Sequence, residues 1–260
     1  MSKETPPYPT PSNLLVGRTA LITAAAGTGI GFAVARRAAE EGAKILISDI
    51  HERRLGEAVE ELTRLTGQRP ASQLCNVAVE ADVQGLFQAA ERELGHVDVL
   101  MNNAGLGGTA NLVDMTDEQW DRVIEITLTG TMRMTRAALR HMMPRGKGAI
   151  VNNASVIGWR AQAGQCHYAA AKAGVMALTR CSAIEAAEAG VRINAVSPSL
   201  AMHKFLAKVT TEELLAKLTE REAFGRAAEP FEVANVMIFL ASDLSSYMTG
   251  EVLSVSSQHP

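Results

Sequence analysis

The chain has 260 residues, of which 47% are hydrophobic and 20% charged, so it is long enough to bury a large core. A formal net charge of -3 argues against the cationic surface typical of nucleic-acid-binding proteins. Three cysteines without metal-ligand spacing, and a polar, proline-rich start, predict a reduced cytoplasmic protein. We expect no metal, no secretory signal and no membrane span.

Closely spaced prolines make residues 1–13 a predicted flexible arm. From residue 14 to residue 260, short apolar runs alternate with amphipathic stretches, including a helical stretch over roughly 116–143 and another that ends near 188. The predicted strands are TALIT, KILISD, ASQLCNV, VDVLMNNAG, GAIVNNAS and RINAVS. This alternation predicts one α/β domain, a Rossmann-type doubly wound parallel sheet with helices on both faces.

A glycine-rich turn, ITAAAGTGIG, joins the first predicted strand to the first helix. The small residues Gly27, Gly29 and Gly31 allow a pyrophosphate to reach the N–H groups at the helix start. Asp49 ends the second strand, where a carboxylate accepts hydrogen bonds from a ribose diol and repels a 2′-phosphate. NAD is therefore expected rather than NADP, although basic residues follow closely. A methyltransferase uses a similar turn and acid, and remains an alternative at this point.

Three downstream motifs are more specific: NNAG at 102–105, NNAS at 152–155, and Tyr168-x-x-x-Lys172. With them the chain resembles the short-chain dehydrogenase/reductase family from about residue 14 to residue 256. Ser155, Tyr168 and Lys172 match the family's catalytic set, including the 13-residue separation of the serine from the tyrosine. The resemblance implies an oxidoreductase that interconverts a secondary alcohol and a ketone.

The chemistry of that reaction explains these residue types. A phenol with a pKa of about 10 is a poor base near neutral pH, and lowering its pKa to about 7 takes roughly 4 kcal/mol of phenolate stabilisation. Lys172 lies one helical turn after Tyr168 and supplies a positive charge. We therefore expect Lys172 to lower the pKa of Tyr168, and Ser155 to orient the substrate oxygen. The resemblance gives Lys172 a second contact, with the nicotinamide ribose.

The resemblance also implies the cofactor-binding residues, which are Gly27, Thr28, Gly29, Ile30, Gly31, Asp49, Asn76, Val77, Asn103, Ala104, Gly105, Tyr168 and Lys172. The chain departs from the family pattern in four places. The glycine turn contains Ala24 and one residue more than the family's turn. Asn76 replaces an aspartate that lies near the adenine. Thr127, a candidate catalytic residue, replaces an asparagine that anchors a water chain. After the sixth strand, Ser199 and His203 replace a glycine and a threonine.

Residues 199–225 occupy the family's variable substrate lid, where Leu, Met and Phe suggest either an apolar pocket or simple packing. Ser155, Trp159, Leu200 and His203 are the predicted substrate contacts. Arg160, Lys204 and Lys208 are expected to meet a phosphate-bearing carrier or to be solvated.

Two stretches, AAGTGIG and SDIHERRLGEA, resemble bacterial reductases that act on CoA thioesters of steroid ring fragments. A 3-oxoacyl-thioester reductase of fatty-acid type is the alternative. A dinucleotide-binding sensor without turnover is an alternative of another class. Members of the family commonly form tetramers, so the resemblance implies a homotetramer.

Overall fold

Strands and helices alternate along the chain in a computed structural model that describes residues 4–202 and 212–258, without the side chain at 214. The strands within these ranges are β1 Thr19–Ile22, β2 Lys44–Asp49, β3 Ala71–Leu74, β4 Val99–Asn102, β5 Gly148–Asn153, β6 Val191–Pro198 and β7 Val252–Val255. The α-helices are α1 Ile30–Glu40, α2 Glu52–Thr66, α3 Glu80–Leu94, α4 Asp117–Ile124, α5 Gly130–Met142, α6 Cys166–Ala187, α7 Glu212–Glu220 and α8 Pro230–Ala241.

The strands form one parallel sheet in the order β3-β2-β1-β4-β5-β6-β7. Strand β1 lies between β2 and β4, with Ala20 opposite both Ile45 and Val99. The chain order reverses at β1, so a crevice opens beside the carboxyl ends of β1 and β4. The predicted doubly wound α/β fold is confirmed.

The core lies on both faces of the sheet because neighbouring strand residues point to opposite sides. In β2, Ile45 and Ile47 pack with α1, α2 and α8, whereas Leu46 packs with α3 and α5. All three side chains are 5% exposed or less. These near-continuous apolar strands reflect a sheet that helices cover on both faces.

The helical stretch predicted over roughly 116–143 contains one irregular segment. Helix α4 passes into a π-helix, Glu125–Thr129, before α5 begins, and a 3-10 turn, Met143–Arg145, follows α5. A π turn is a local widening that often accompanies a functional site. It places Thr127 fully inside the protein, beside the loop that follows β4.

The described part of the predicted arm, residues 4–13, has no regular secondary structure but contacts α1. The ring of Tyr8 lies 4.2 Å from the Arg36 guanidinium carbon, and its hydroxyl donates to Glu40 at 2.7 Å. The backbone N–H of Ser12 donates to the buried carboxylate of Glu41 at 2.9 Å. The flexibility of residues 1–13 stays a prediction.

Candidate active site

The glycine turn follows β1 at the sheet's switch point. Ala24 adopts a left-handed φ of +49° and Gly27 one of +93°. A Cβ on Gly31 would lie 2.2 Å from the Ala24 carbonyl oxygen, so only glycine lets α1 approach the turn this closely. No side chain of the described residues caps α1 at Gly29. The first N–H groups of α1 are thus left for a bound anion, as a pyrophosphate requires.

Asp49 lies next to this turn, at the carboxyl end of β2. Its carboxylate accepts hydrogen bonds from the N–H of Ala26 at 3.3 Å and of His51 at 3.0 Å, and the Arg54 guanidinium lies 3.9 Å away. Burial raises the pKa of Asp49, against the effect of the Ala26 hydrogen bond and the Arg54 charge. The position fits a dinucleotide whose ribose diol would hydrogen-bond the carboxylate.

The NNAG segment is tied to the strands on either side of it. The hydroxyl of Thr23 accepts from the N–H groups of Asn103 and Ala104 at 2.9 and 3.0 Å. The amide of Asn103 donates to the Ala24 carbonyl at 3.2 Å and accepts from the Asn153 amide at 2.8 Å. These bonds fix the floor of the crevice. Thr23 and Asn153 were not among the predicted site residues, although their positions directly at strand ends were an available signal.

Ser155, Tyr168 and Lys172 converge beside this floor. Ser155 follows β5, and its hydroxyl accepts from the Ile157 N–H at 3.3 Å to start a 3-10 turn, Val156–Gly158. Tyr168 is half-buried on α6, and Ser155 hydrogen-bonds to its phenol. Lys172 is 3% exposed; its Nζ lies 5.6 Å from the centre of the Tyr168 ring and donates to the Asn153 carbonyl at 2.5 Å.

Burial decides the ionisation of these groups. It raises the pKa of the Tyr168 phenol, while the hydrogen bond from Ser155 acts in the opposite direction. It also lowers the pKa of Lys172 from 10.5 to about 8. Burial therefore keeps Tyr168 protonated near neutral pH, a shift in the opposite direction to the predicted lowering of its pKa by Lys172. The spacing of Tyr168 and Lys172 along the helix predicts a positive charge near the phenol, but it does not predict how far packing excludes water from the phenol.

Thr127 holds the loop that follows β4. Its hydroxyl donates to the Leu106 carbonyl and accepts from the Leu106 N–H, both at 2.9 Å. Gly105 lies between Thr127 and Lys172, because a Cβ there would be 3.7 Å from the threonine hydroxyl and 3.4 Å from Nζ. Thr127 is therefore close to the lysine, with its hydroxyl bound to backbone.

The remaining predicted cofactor and substrate contacts differ in their burial and in their hydrogen-bond partners. The side chain of Asn76 accepts from the Ala78 N–H at 3.1 Å, and Val77 is 6% exposed and packs against Gly130. Trp159 is 49% exposed just past the 3-10 turn, and Leu200 is 9% exposed. His203, Lys204 and Lys208 lie outside the described residues.

A cavity of about 340 Å³ opens beside the 3-10 turn that follows Ser155. The 3-10 turn that Ser155 starts forms one wall, and α7 forms another. Its lining residues are Val156, Ile157, Arg160, Ala161, Gln162, Leu218, Arg221 and Gln258. The described residues contain no group of three or more His, Cys, Asp or Glu side chains arranged to hold a metal. None of the described helices is both long and apolar enough to cross a membrane.

The chain is similar to known proteins along nearly its whole length. A family model described as enoyl-(acyl carrier protein) reductase matches residues 24–257. A crystal structure of a short chain dehydrogenase from Mycobacterium smegmatis is 57% identical with a TM-score of 0.88, covering 99% of each chain. The chain belongs to the short-chain dehydrogenase/reductase family. As a member it is an oxidoreductase that binds a nicotinamide dinucleotide and acts on a small-molecule substrate.

Relatives within the short-chain dehydrogenase/reductase family differ in their substrates. A Mycobacterium tuberculosis protein, named (5R,7aS)-5-hydroxy-7a-methyl-1-oxo-2,3,5,6,7,7a-hexahydro-1H-indene-carboxyl-CoA reductase, is 62% identical over 249 residues, 95% of each chain. A 3-oxoacyl-acyl-carrier-protein reductase from Thermotoga maritima is 39% identical over 245 residues, 93% of this chain and 97% of the relative. The chain is thus similar both to a reductase of a ring-bearing CoA thioester and to one of fatty-acid type.

Proposed function

We propose that this enzyme interconverts a ketone and a secondary alcohol, with Tyr168 as the general acid and base. The observation that supports this role is the convergence of Ser155, Tyr168 and Lys172 beside the NNAG segment. In reduction, Tyr168 gives its phenolic proton to the carbonyl oxygen while hydride reaches the carbon. Ser155 donates a hydrogen bond to the same oxygen. In oxidation the proton returns to Tyr168.

Tyr168 is in the protonation state that reduction requires near neutral pH. Burial keeps Tyr168 protonated, and a protonated phenol is the form that donates. When bound, the nicotinamide ring carries the hydride and, in its oxidised form, a positive charge that opposes this effect. Lys172, with a pKa of about 8, is largely charged at neutral pH, and it would hydrogen-bond a ribose hydroxyl.

For the cofactor we propose NAD rather than NADP. The buried carboxylate of Asp49 next to the glycine turn supports this, since a 2′-phosphate there would meet a negative charge. Gly27, Thr28, Gly29, Ile30 and Gly31 would surround the pyrophosphate. Asn76 and Val77 would lie near the adenine, and Asn103, Ala104 and Gly105 near the nicotinamide half.

The choice of cofactor is tested with Asp49→Ala. We expect the ratio of kcat/KM for NADPH to that for NADH to rise at least tenfold, because the variant loses a ribose acceptor and a repulsive charge. Arg54→Ala is the matched control. It removes the cation 3.9 Å from Asp49 and should lower the same ratio. An unchanged ratio in Asp49→Ala would contradict the ribose contact.

For the substrate we propose the CoA thioester of an apolar ring system, such as a steroid fragment. The M. tuberculosis relative supports this, as does the apolar wall that Val156, Ile157 and Leu218 give to the cavity beside the 3-10 turn that follows Ser155. A 3-oxoacyl thioester of fatty-acid type is the second candidate, which the T. maritima relative favours.

A panel of substrates separates these possibilities. The panel contains a ring ketone as its CoA thioester, a linear 3-oxoacyl-CoA and an enoyl-CoA, each assayed with NADH and NADPH. We expect the highest kcat/KM with the ring ketone. Preference for the linear thioester would assign the second candidate. Dinucleotide binding without turnover of any member would favour a sensor.

Tyr168→Phe tests the catalytic assignment. Removing the phenol oxygen should lower kcat by at least about 100-fold, the usual scale of general acid–base catalysis, while the Kd for NADH stays within about twofold. Tyr247→Phe is the matched control, because Tyr247 is fully exposed and should keep wild-type activity. Comparable kcat values for the two variants would remove Tyr168 from the mechanism.

Two further assignments complete the proposal. We propose Thr127 as a positioning residue that holds the loop at Leu106 rather than as a proton carrier.

We also propose a cytoplasmic homotetramer. The common assembly of family members supports this, as does an apolar groove between α5 and α6 that includes Met132 and Leu178. Sedimentation velocity should give the mass of four chains, and a monomer would contradict this assembly.

A further inference from the structure

Two arginines, Arg160 and Arg221, line the cavity that opens beside the 3-10 turn after Ser155. Arg226, by contrast, forms an ion pair with Glu232 at 2.7 Å. Neither Arg160 nor Arg221 lies within 4.0 Å of a carboxylate oxygen of the described residues. The cavity therefore presents two guanidinium groups whose charge no ion pair with another described residue neutralises.

The residue that contacts Arg160 is neutral. The Arg160 guanidinium donates to the Gln258 side-chain oxygen, and the Gln258 amide donates to Glu222 at 2.9 Å. Glu222 is 3% exposed, does not line the cavity, and also accepts from the Ser257 hydroxyl at 2.8 Å. Gln258 thus orients Arg160 without neutralising it. Glu222, the acid that contacts Gln258, accepts hydrogen bonds from Gln258 and Ser257 and forms no ion pair with Arg160.

Four of the other lining residues are apolar: Val156 and Ile157 next to the catalytic serine, Ala161, and Leu218 on α7. Gln162 and Gln258 complete the wall. A ligand that fits this lining is apolar near its reacting carbon and anionic farther away. Guanidinium groups bind phosphate and carboxylate oxygens through paired, charge-assisted hydrogen bonds.

We propose that Arg160 and Arg221 bind an oxyanion that the substrate carries, either a phosphate of its CoA group or a free carboxylate. This inference rests on the proposed function, because it places the reacting carbonyl at Ser155 and Tyr168. It makes the cavity the part of the site that selects substrates by charge, separate from the residues that transfer the proton.

The test compares charged and neutral forms of one substrate. The ring ketone is assayed as its CoA thioester, as its neutral N-acetylcysteamine thioester and as its free acid, with wild type, Arg160→Ala and Arg221→Ala. Loss of a charge-assisted hydrogen bond should raise KM roughly tenfold to hundredfold for the anionic form, with kcat within about twofold. Arg92→Ala, which removes one exposed charge on α3, is the control and should leave KM unchanged.

The pattern of KM values identifies the source of the anion. A rise confined to the CoA thioester assigns a phosphate, and a rise confined to the free acid assigns a carboxylate. Equal rises for the neutral and charged thioesters would overturn the proposal, since charge would then play no part. Failure of wild type to turn over any of the three refutes the proposed function instead.

A binding measurement keeps the two failures distinct. Calorimetry with coenzyme A, and separately with the free acid, needs no turnover. Wild type should bind at least one of them, and the variant that combines Arg160→Ala with Arg221→Ala should bind it at least tenfold more weakly. If wild type reduces the neutral thioester but binds neither probe, the proposed function stands and the anion site is refuted.

Discussion

Lys172→Met should change how the stability of the enzyme depends on pH. Burial lowers the pKa of Lys172 from 10.5 to about 8 in the folded protein. Unfolding returns this pKa to its ordinary value, so the wild type takes up a proton on unfolding between these two pH values. The free energy of unfolding therefore rises with pH across that window.

The size of the effect follows from the two pKa values. Linkage gives a rise in the wild-type unfolding free energy of about 2 kcal/mol from about pH 7 to about pH 9.5 for this one group. Solvent screening reduces it little, because Lys172 is 3% exposed. Lys172→Met has no ammonium to titrate, so its unfolding free energy relative to wild type should fall by that amount over the same interval.

Urea denaturation at the two pH values, at one protein concentration, measures this difference. Lys217→Met is the control: Lys217 lies on α7 with its side chain 65% exposed, and its removal should preserve the wild-type pH dependence. Parallel pH dependences for wild type and Lys172→Met would refute the argument that burial of the ammonium costs stability.

Three smaller changes test the turn and the loop. Gly31→Ala places a Cβ 2.2 Å from the Ala24 oxygen and should cost about 1–3 kcal/mol of stability and weaken NADH binding; wild-type values of both would contradict the close approach. Ala24→Gly should stabilise the fold by about 1 kcal/mol at most, measured by denaturation, because it relieves a φ of +49°. Thr127→Val leaves both backbone groups of Leu106 without their partner and should cost about 2 kcal/mol. Thr135→Val should be neutral or stabilising, because its buried hydroxyl has no partner among the described residues; equal losses for the two valines would contradict the role of Thr127.

Much of the fold was predictable because parallel strands covered on both faces are apolar along their whole length. The KILISD prediction coincides with β2, Lys44–Asp49. The ASQLCNV prediction was too long: β3 ends at Leu74, and its residues alternate between half-buried and exposed, as at a sheet edge. At an edge, pairing on one side decides where the strand ends, and an apolar pattern does not encode that pairing.

The positions of the site residues were predictable from their spacing in the sequence. Their ionisation was not, because it depends on how far the fold excludes solvent. The separation of Ser155 from Tyr168 and Lys172 predicts their convergence, which the structure shows. The pKa of Tyr168 depends on how completely packing excludes water, and no local pattern reports that. The left-handed conformation of Ala24 was equally hidden, since alanine seldom adopts it without a tertiary constraint.

The π turn between α4 and α5 sets the rotational phase of two helical segments. Val123 on one side and Met134 on the other both reach the interior, 3% and 0% exposed. The i→i+5 hydrogen bonding of a π turn takes up one residue more than a turn of α-helix, so the wide turn keeps the two segments in phase across that extra residue. If Glu125–Thr129 formed regular α-helix without a change of length, Met134 would rotate by about 100° relative to Val123, and one of the two side chains would turn toward solvent. A one-residue deletion within the π turn should therefore be tolerated better than a one-residue deletion elsewhere in α4 or α5.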